Sequence, residues 1–206
     1  MALVVAAYLL GSIPFAYLIG RWRGVDLTQV GTRNVGAANL GQVVGRWAGA
    51  LAFLADMAKG LVPVLAARAL RYGGLAAAAA GVAAVAGHCW PLFLRFRGGR
   101  GNATGMGAAA GLSPRALVVA LLFFALGAAT RLLALGMLLG FAVMPLLAWW
   151  FGAEGATVTA LVAILGLIVV RRLTALGVRQ QLAQAEDKGR AVINLLLYDN
   201  IAGRRR

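Results

Sequence analysis

The sequence is poor in the residues from which most soluble enzymes build their active sites. It has one cysteine, one histidine, and six acidic against twenty basic residues. The single cysteine, Cys89, excludes an intramolecular disulfide, and one histidine without an acidic cluster leaves a transition-metal site without ligands. The GxSxG elbow, the P-loop lysine motif and paired carboxylates are also missing, so serine hydrolase, nucleotide hydrolase and glycosidase chemistry lack support. We expect neither a metal nor another cofactor.

Charge is scarce along most of the chain, and hydrophobic residues take its place. Of the 206 residues, 62% are hydrophobic and 13% are charged, with a mean hydropathy of +0.84. A chain that keeps a polar surface in water does not reach such values. The composition therefore predicts an integral membrane protein whose main surroundings are membrane lipids.

Seven apolar stretches alternate with polar connections, which predicts an all-α polytopic membrane protein with about seven transmembrane helices. We expect one transmembrane domain over residues 1–206. A crossing takes about 20 residues, and the fourth stretch is too short to span a bilayer alone. The stretches cover about residues 2–20, 47–70, 74–94, 103–112, 115–131, 132–151 and 156–170.

Basic residues mark one side of the predicted membrane domain. Sixteen of the twenty Lys and Arg residues fall in connections 21–46 and 95–102, around Arg131, and in the tail 171–206. The positive-inside rule makes this side cytoplasmic and places the N-terminus outside. The tail is expected to be a cytoplasmic, amphipathic surface helix from Leu173. Topology and anionic headgroups explain these charges, Arg171 and Arg172 included, so the net charge of +14 does not predict nucleic-acid binding.

The connection after the first stretch contains a glycine-rich segment, residues 31–39, with amide, hydroxyl and guanidinium groups. Glycines allow backbone N–H groups to approach an anion closely. Its side chains are candidate donors to phosphate oxygens, and a plain glycine-rich turn is the alternative. The candidates are Thr32, Arg33, Asn34 and Asn39, with Gly36 between them.

A second segment, residues 87–104, sets the histidine close to three arginines and a glycine cluster that opens a helix. Helix N-termini favour anions, and guanidinium forks match phosphate geometry. Arg97 and Arg100 are therefore a candidate phosphate clamp, with topology signals as the alternative. His88 is a candidate for hydrogen bonding to substrate or for proton transfer, and structural hydrogen bonding is its alternative. The remaining candidates here are Gly98, Gly99, Gly101 and Thr104.

Two opposite charges lie in the middle of the second apolar stretch. Asp56 and Lys59 are three residues apart, so they share a helix face and can pair. Charges inside a membrane are costly and mark either a functional site or a structural pair. Both interpretations remain open from the sequence.

The motifs resemble the bacterial acyl-phosphate:glycerol-3-phosphate acyltransferases of the PlsY type, which are small seven-span membrane enzymes. The resemblance lies in GSIPFAYLIGR at 11–21, VGTRNVGAANLG at 30–41, LADMAKGLVPV at 54–64 and GHCWPLFLRFRGGRGNAT at 87–104. The final family segment is only faintly similar, at 179–188. The chain departs from the family pattern at Thr32, Arg33, Ala38, Gln42, Asn102 and Gln184.

The resemblance implies an enzyme of the bacterial inner membrane that transfers a fatty acyl group from acyl phosphate to glycerol 3-phosphate, giving lysophosphatidic acid and phosphate. The soluble enzyme that makes acyl phosphate is a further implied partner. The residues expected to position the hydroxyl and the acyl carbonyl are Thr32, Asn34, Asn39 and His88. Those expected to bind substrate include Arg33, Gly36, Asp56, Lys59, Thr104 and the segment from Arg97 to Gly101.

A substrate phosphate oxygen is the expected acceptor of the hydroxyl proton, because no conventional base stands out. Three alternatives stay open: a divergent paralogue with another acceptor, a transporter of anionic substrates, and a noncatalytic scaffold that binds anionic lipid. A transporter would be favoured by inverted repeats, and no repeat is evident in the sequence.

Overall fold

The computed structural model describes residues 1–174, Val178, Ala185 and residues 187–198. The described part is α-helical, with one short 3-10 turn at Leu92–Leu94. Its helices are α1 (Ala2–Gly11), α2 (Phe15–Trp22), α3 (Ala37–Val43), α4 (Arg46–Ala69), α5 (Gly74–Cys89), α6 (Asn102–Leu112), α7 (Pro114–Ala129), α8 (Leu133–Trp150), α9 (Gly155–Thr174) and α10 (Lys188–Tyr198).

In the described part of the chain, five helical segments are long and apolar enough to cross a membrane. They are Ala2–Trp22, Arg46–Ala69, Gly74–Leu94, Leu133–Trp150 and Gly155–Thr174. The shorter α7 adds an apolar helix of 16 residues. The 11 residues of α6 rise only about 16 Å, as expected for the short fourth stretch. The predicted all-α, polytopic membrane fold is confirmed.

The first membrane segment is broken where the sequence places a proline. Pro14 has no backbone N–H and cannot continue the helical hydrogen bonding, and α1 ends at Gly11 before α2 begins at Phe15. The break exposes the Ile13 carbonyl, which accepts a hydrogen bond of 2.8 Å from Lys59 Nζ of α4. The buried Lys59 therefore stabilises the backbone at the break between α1 and α2.

Glycines let neighbouring helices approach until backbone meets backbone. A Cβ on Gly60 of α4 would collide with the Thr104 carbonyl of α6, and a Cβ on Gly107 would collide with the Met57 carbonyl in the opposite direction. In membranes, where lipid is as apolar as a protein core, such contacts are a main source of helix association. They hold α6 deep in the bundle, with its N-terminus at the arginine-rich end.

The last long helix continues past the expected boundary. We predicted a span ending near residue 170 and a surface tail from 171, whereas α9 runs to Thr174 and buries Arg171 and Arg172 within its last turn. In the tail, α10 buries Ala191 and Leu195 and leaves Ile193 exposed. Residues 175–177, 179–184, 186 and 199–206, with most of the predicted final family segment, lie outside the described residues.

Candidate active site

The loop that precedes α3 is fastened by one buried amide. Asn39 is 1% exposed, and its Oδ1 accepts a hydrogen bond of 2.9 Å from the Thr32 amide. Its Nδ2 donates to the carbonyls of Asn34, Val30 and Leu27 at 3.0, 3.1 and 3.3 Å. These bonds use both amide hydrogens, so Asn39 shapes the loop. The sequence had left two interpretations of this segment open, donation to phosphate and a plain glycine-rich turn.

The glycine pair before α6 folds back on the end of α5. The Gly99 amide donates to the His88 carbonyl at 3.1 Å. On its other side the turn accepts hydrogen bonds from Arg171, whose Nη2 lies 2.8 Å from the Gly98 carbonyl and whose Nε lies 3.2 Å from the Gly99 carbonyl. Three helices, α5, α6 and α9, therefore fix the position of the turn that carries Arg100.

A buried charge cluster lies beneath this turn. Asp56 Oδ1 lies 2.9 Å from Lys59 Nζ, and both side chains are 2% exposed. His88 Nδ1 lies 3.6 Å from the same carboxylate oxygen. The expected pairing of Asp56 with Lys59 is present, and the lysine also anchors the helix break through Ile13. His88 faces Asp56 with one ring nitrogen and Gly99 with the other.

A cavity of about 280 Å³ opens among these elements. Its polar wall comes from the loop before α3, and its cationic wall comes from the α6 N-terminus and the end of α9. The beginning of α8 supplies apolar groups. The lining residues are Thr32, Asn34, Gly36, Ala37, Ala38, Asn39, Gln42, Phe53, Asp56, His88, Arg100, Gly101, Asn102, Ala103, Arg131, Leu133, Ala134, Met137 and Arg172.

Most, but not all, of the sequence-predicted site residues meet at this cavity. The structure brings together Thr32, Asn34, Gly36, Asn39, Asp56, His88, Arg100 and Gly101. Lys59, Gly98 and Gly99 line a small neighbouring void with Asp56 and His88. Thr104 is fully buried in α6. Arg33 and Arg97 are exposed and are not among the lining residues, so only Arg100 of the expected clamp reaches the cavity.

Arg100 gives the cavity a buried positive charge. The side chain is 9% exposed, and burial together with the nearby charges of Arg172 and Arg171 lowers its pKa to about 10. The guanidinium therefore stays charged at neutral pH. It lies just before the N-terminus of α6, whose backbone dipole also favours anions. Among the described residues, no group of three His, Cys, Asp or Glu side chains suits a metal ion.

This geometry agrees with the comparisons to known proteins. The sequence model described as glycerol-3-phosphate acyltransferase matches residues 1–177. The chain belongs to the glycerol-3-phosphate acyltransferase family. A glycerol-3-phosphate acyltransferase from Rubrobacter xylanophilus is 54% identical over 112 residues, which cover 54% of this chain and 56% of the relative. The chain thus spans just over half of that relative's length.

Two crystal structures of the integral membrane glycerol 3-phosphate acyltransferase PlsY (YgiH) share the fold. The glycerol 3-phosphate form superposes with a TM-score of 0.79 at 32% identity, covering 89% of this chain and 90% of the other. The lysophosphatidic acid form gives a TM-score of 0.78 at 31% identity, covering 90% and 93%. The resemblance predicted from the sequence motifs is confirmed.

Three arginines of this acyltransferase-family chain take positions that sequence reasoning missed. Arg131 lies at the cavity between α7 and α8, Arg172 lines it from α9, and Arg171 holds the glycine turn. All three sit at the ends of apolar stretches, where the positive-inside rule already explains an arginine. The sequence around Arg171 and Arg172 therefore did not indicate that their side chains point inward.

The glycine turn of this family member leaves no room for a methyl group. A Cβ on Gly99 would collide with His88 Nε2, so we expect Gly99→Ala to displace the ring or the turn and to lower acyltransferase activity at least tenfold. Overpacking of this kind costs about 1–3 kcal/mol. The measurement is product formation together with thermal unfolding in detergent. Gly166→Ala is the control, since its Cβ meets nothing within 4 Å; equal activity of the two variants would contradict the prediction.

Proposed function

We propose that this chain transfers a fatty acyl group from acyl phosphate to the 1-hydroxyl of glycerol 3-phosphate, releasing lysophosphatidic acid and inorganic phosphate. The observation that carries the proposal is the cavity in which the buried Arg100 faces a loop of amide and hydroxyl groups. Both substrates carry phosphate, and guanidinium groups bind phosphate through paired hydrogen bonds. A cavity with this lining suits two phosphate-bearing molecules.

The apolar side of the cavity suits the donor. Phe53, Leu133 and Met137 line it beside the arginines, so a fatty acyl chain can lie against α4 and α8 while its phosphate reaches Arg100. The hydroxyl and amide groups of Thr32 and Asn34 are available on the opposite wall to orient the acceptor. We therefore expect the acyl carbon to lie between the two walls, where the acceptor hydroxyl approaches.

The reaction needs little covalent help from the protein. The acceptor hydroxyl oxygen forms a bond to the acyl carbon, the bond from that carbon to the phosphate oxygen breaks, and phosphate leaves with the electron pair. The hydroxyl proton passes to a phosphate oxygen. A mixed anhydride is already activated, so alignment of the reacting atoms and stabilisation of developing negative charge supply the main rate enhancement.

Replacing His88 tests whether a substrate phosphate oxygen accepts the hydroxyl proton. Its ring nitrogens face Asp56 and Gly99, which suits a residue that shapes the site. We expect His88→Ala to lower activity about tenfold and to remain above an empty-membrane control. Loss of a general base typically costs about 10²–10⁴-fold, so the smaller loss indicates that His88 is not the base. The measurement is lysophosphatidic acid formation in membranes. Loss down to the empty-membrane level by a variant with wild-type thermal unfolding would assign the base to His88 instead.

The membrane setting follows from the same charges. Together with the tail from residue 171, the connections that line the cavity carry sixteen of the twenty Lys and Arg residues. This distribution supports a cytoplasmic cavity, an N-terminus outside and a C-terminus in the cytoplasm of a bacterial cell. The soluble enzyme that makes acyl phosphate would deliver the donor to this side. A cysteine-labelling map of the termini and of the 95–101 connection tests the orientation.

Genetic replacement tests the proposed function in cells. In a bacterium depleted of its own glycerol-3-phosphate acyltransferase, expression of this chain should restore growth, and Arg100→Gln should not. Membrane insertion of both proteins is checked by immunoblot of the membrane fraction. Failure of the inserted wild-type chain to restore growth, while a family member succeeds from the same vector, would overturn the proposal.

A further inference from the structure

The last turn of α9 carries two adjacent arginines into the interior of the bundle. Arg171 is 5% exposed and Arg172 is 1% exposed. Successive residues of an α-helix point about 100° apart, so the two side chains reach different targets. Arg171 holds the glycine turn through the carbonyls of Gly98 and Gly99. Its role is to position the loop of Arg100.

Arg172 is directed to the cavity. It lines the same wall as Arg100 and donates from Nη1 to the Ala134 carbonyl at 3.2 Å in the first turn of α8. A guanidinium carries five N–H donors in a rigid fork, so one group can bind a helix carbonyl and a ligand at the same time. The bond to α8 fixes the orientation of the fork before a ligand arrives.

The surrounding charges favour an anion between the two arginines. Among the described residues that line the cavity, Asp56 is the one carboxylate, and it is paired with Lys59. Arg131 adds a third guanidinium at the same cavity. Both guanidinium groups are buried at the cavity wall, so a phosphate group in the cavity could be bound from two sides.

We infer that Arg172 is a substrate-binding residue that grips a phosphate group together with Arg100. The inference rests on the proposed function and adds a second arginine, from a different helix, to the phosphate site. The ligand chemistry is a phosphate monoester or acyl phosphate, and each substrate offers one such group. Which of the two Arg172 binds is decided by the kinetic test below.

The test compares Arg172→Gln and Arg172→Lys with the wild-type chain in lipid. One series varies glycerol 3-phosphate at saturating acyl phosphate, and the other varies acyl phosphate at saturating glycerol 3-phosphate. Loss of a charged hydrogen-bonding group should raise the KM of one substrate about 10- to 100-fold, with a smaller rise for Arg172→Lys. Arg23→Gln, an exposed arginine at the same end of the bundle, is the control and should leave both constants unchanged.

A binding readout separates this inference from the proposed function. Inorganic phosphate should raise the unfolding temperature of the wild-type chain in detergent. Arg172→Gln should need at least tenfold more phosphate for the same rise. This outcome supports the site even in a chain that forms no lysophosphatidic acid. Wild-type KM values and wild-type phosphate stabilisation in Arg172→Gln would overturn the inference. If Arg172→Gln does not fold, the same two results in Arg172→Lys decide the matter.

Discussion

Replacing Arg100 by glutamine is expected to lower kcat/KM for lysophosphatidic acid formation by about 10²- to 10³-fold. The guanidinium is buried in the cavity wall, beside the N-terminus of α6. Glutamine keeps hydrogen-bonding capacity but removes the charge that stabilises phosphate and the negative charge developing in the transition state. Loss of one such charged contact in a site shielded from water typically costs several kcal/mol. Steady-state kinetics of purified protein in lipid measure the change.

Arg97→Gln is the matched comparison for Arg100. Both arginines flank the same glycine pair, but the Arg97 side chain is exposed and is not among the residues lining the cavity. A simple clamp would make the two substitutions equally harmful, whereas the geometry predicts a change of less than about fivefold at Arg97. Equal losses at both positions would contradict the site as described.

Replacing Lys59 by methionine is expected to destabilise the folded protein by about 3–5 kcal/mol, because it leaves the buried Asp56 carboxylate without its counter-charge. The Ile13 carbonyl at the break between α1 and α2 also loses its side-chain donor. Reversible unfolding of the protein in mixed micelles, followed by circular dichroism, measures the difference. Lys188→Met is the control, because Lys188 is exposed at the start of α10.

The double variant Asp56→Asn, Lys59→Met tests whether the unpaired Asp56 carboxylate causes the loss of stability in Lys59→Met. It removes both charges, so we expect it to regain at least half of the stability lost in Lys59→Met. Removal of a whole buried ion pair is often close to neutral, in contrast to removal of one partner. If the double variant is as unstable as Lys59→Met, the loss comes from packing or from the Ile13 contact and the ion pair is not its source.

The membrane fold could be predicted from the sequence because long apolar stretches are compatible with few other folds. Even the short α6 followed from its length, since an apolar stretch of that size cannot cross a bilayer alone. The Asp56–Lys59 pair also followed, because three residues separate neighbours on one helix face. The bond from Lys59 to Ile13 did not follow, since it joins two helices whose approach depends on the whole bundle.

The arginines show why the site could be predicted only in part from the sequence. Arg97 and Arg100 are equivalent in sequence, and the exposure of one and burial of the other depend on how the glycine turn folds against His88. Arg171 and Arg172 resemble topology signals because a basic pair at the end of a span needs no further explanation. Their inward direction depends on where α9 lies against α5, α6 and α8.

The loop before α3 shows a related limit. Asn39 was a good candidate for phosphate because an exposed amide is a good donor, but burial turns the same amide toward four backbone groups. Arg33 adopts a left-handed backbone with φ of 57°, a conformation that costs a non-glycine residue about 1–2 kcal/mol. This position is one where the chain departs from the family pattern, and the structure leaves the Arg33 side chain outside the cavity.

The most direct test of the central claim is to incubate the purified chain in lipid with acyl phosphate and labelled glycerol 3-phosphate. The predicted result is labelled lysophosphatidic acid with release of one phosphate per acyl transfer, and no product when acyl-CoA or acyl carrier protein replaces acyl phosphate. Absence of lysophosphatidic acid from a folded preparation, while a family member is active in the same lipid, would contradict the assignment.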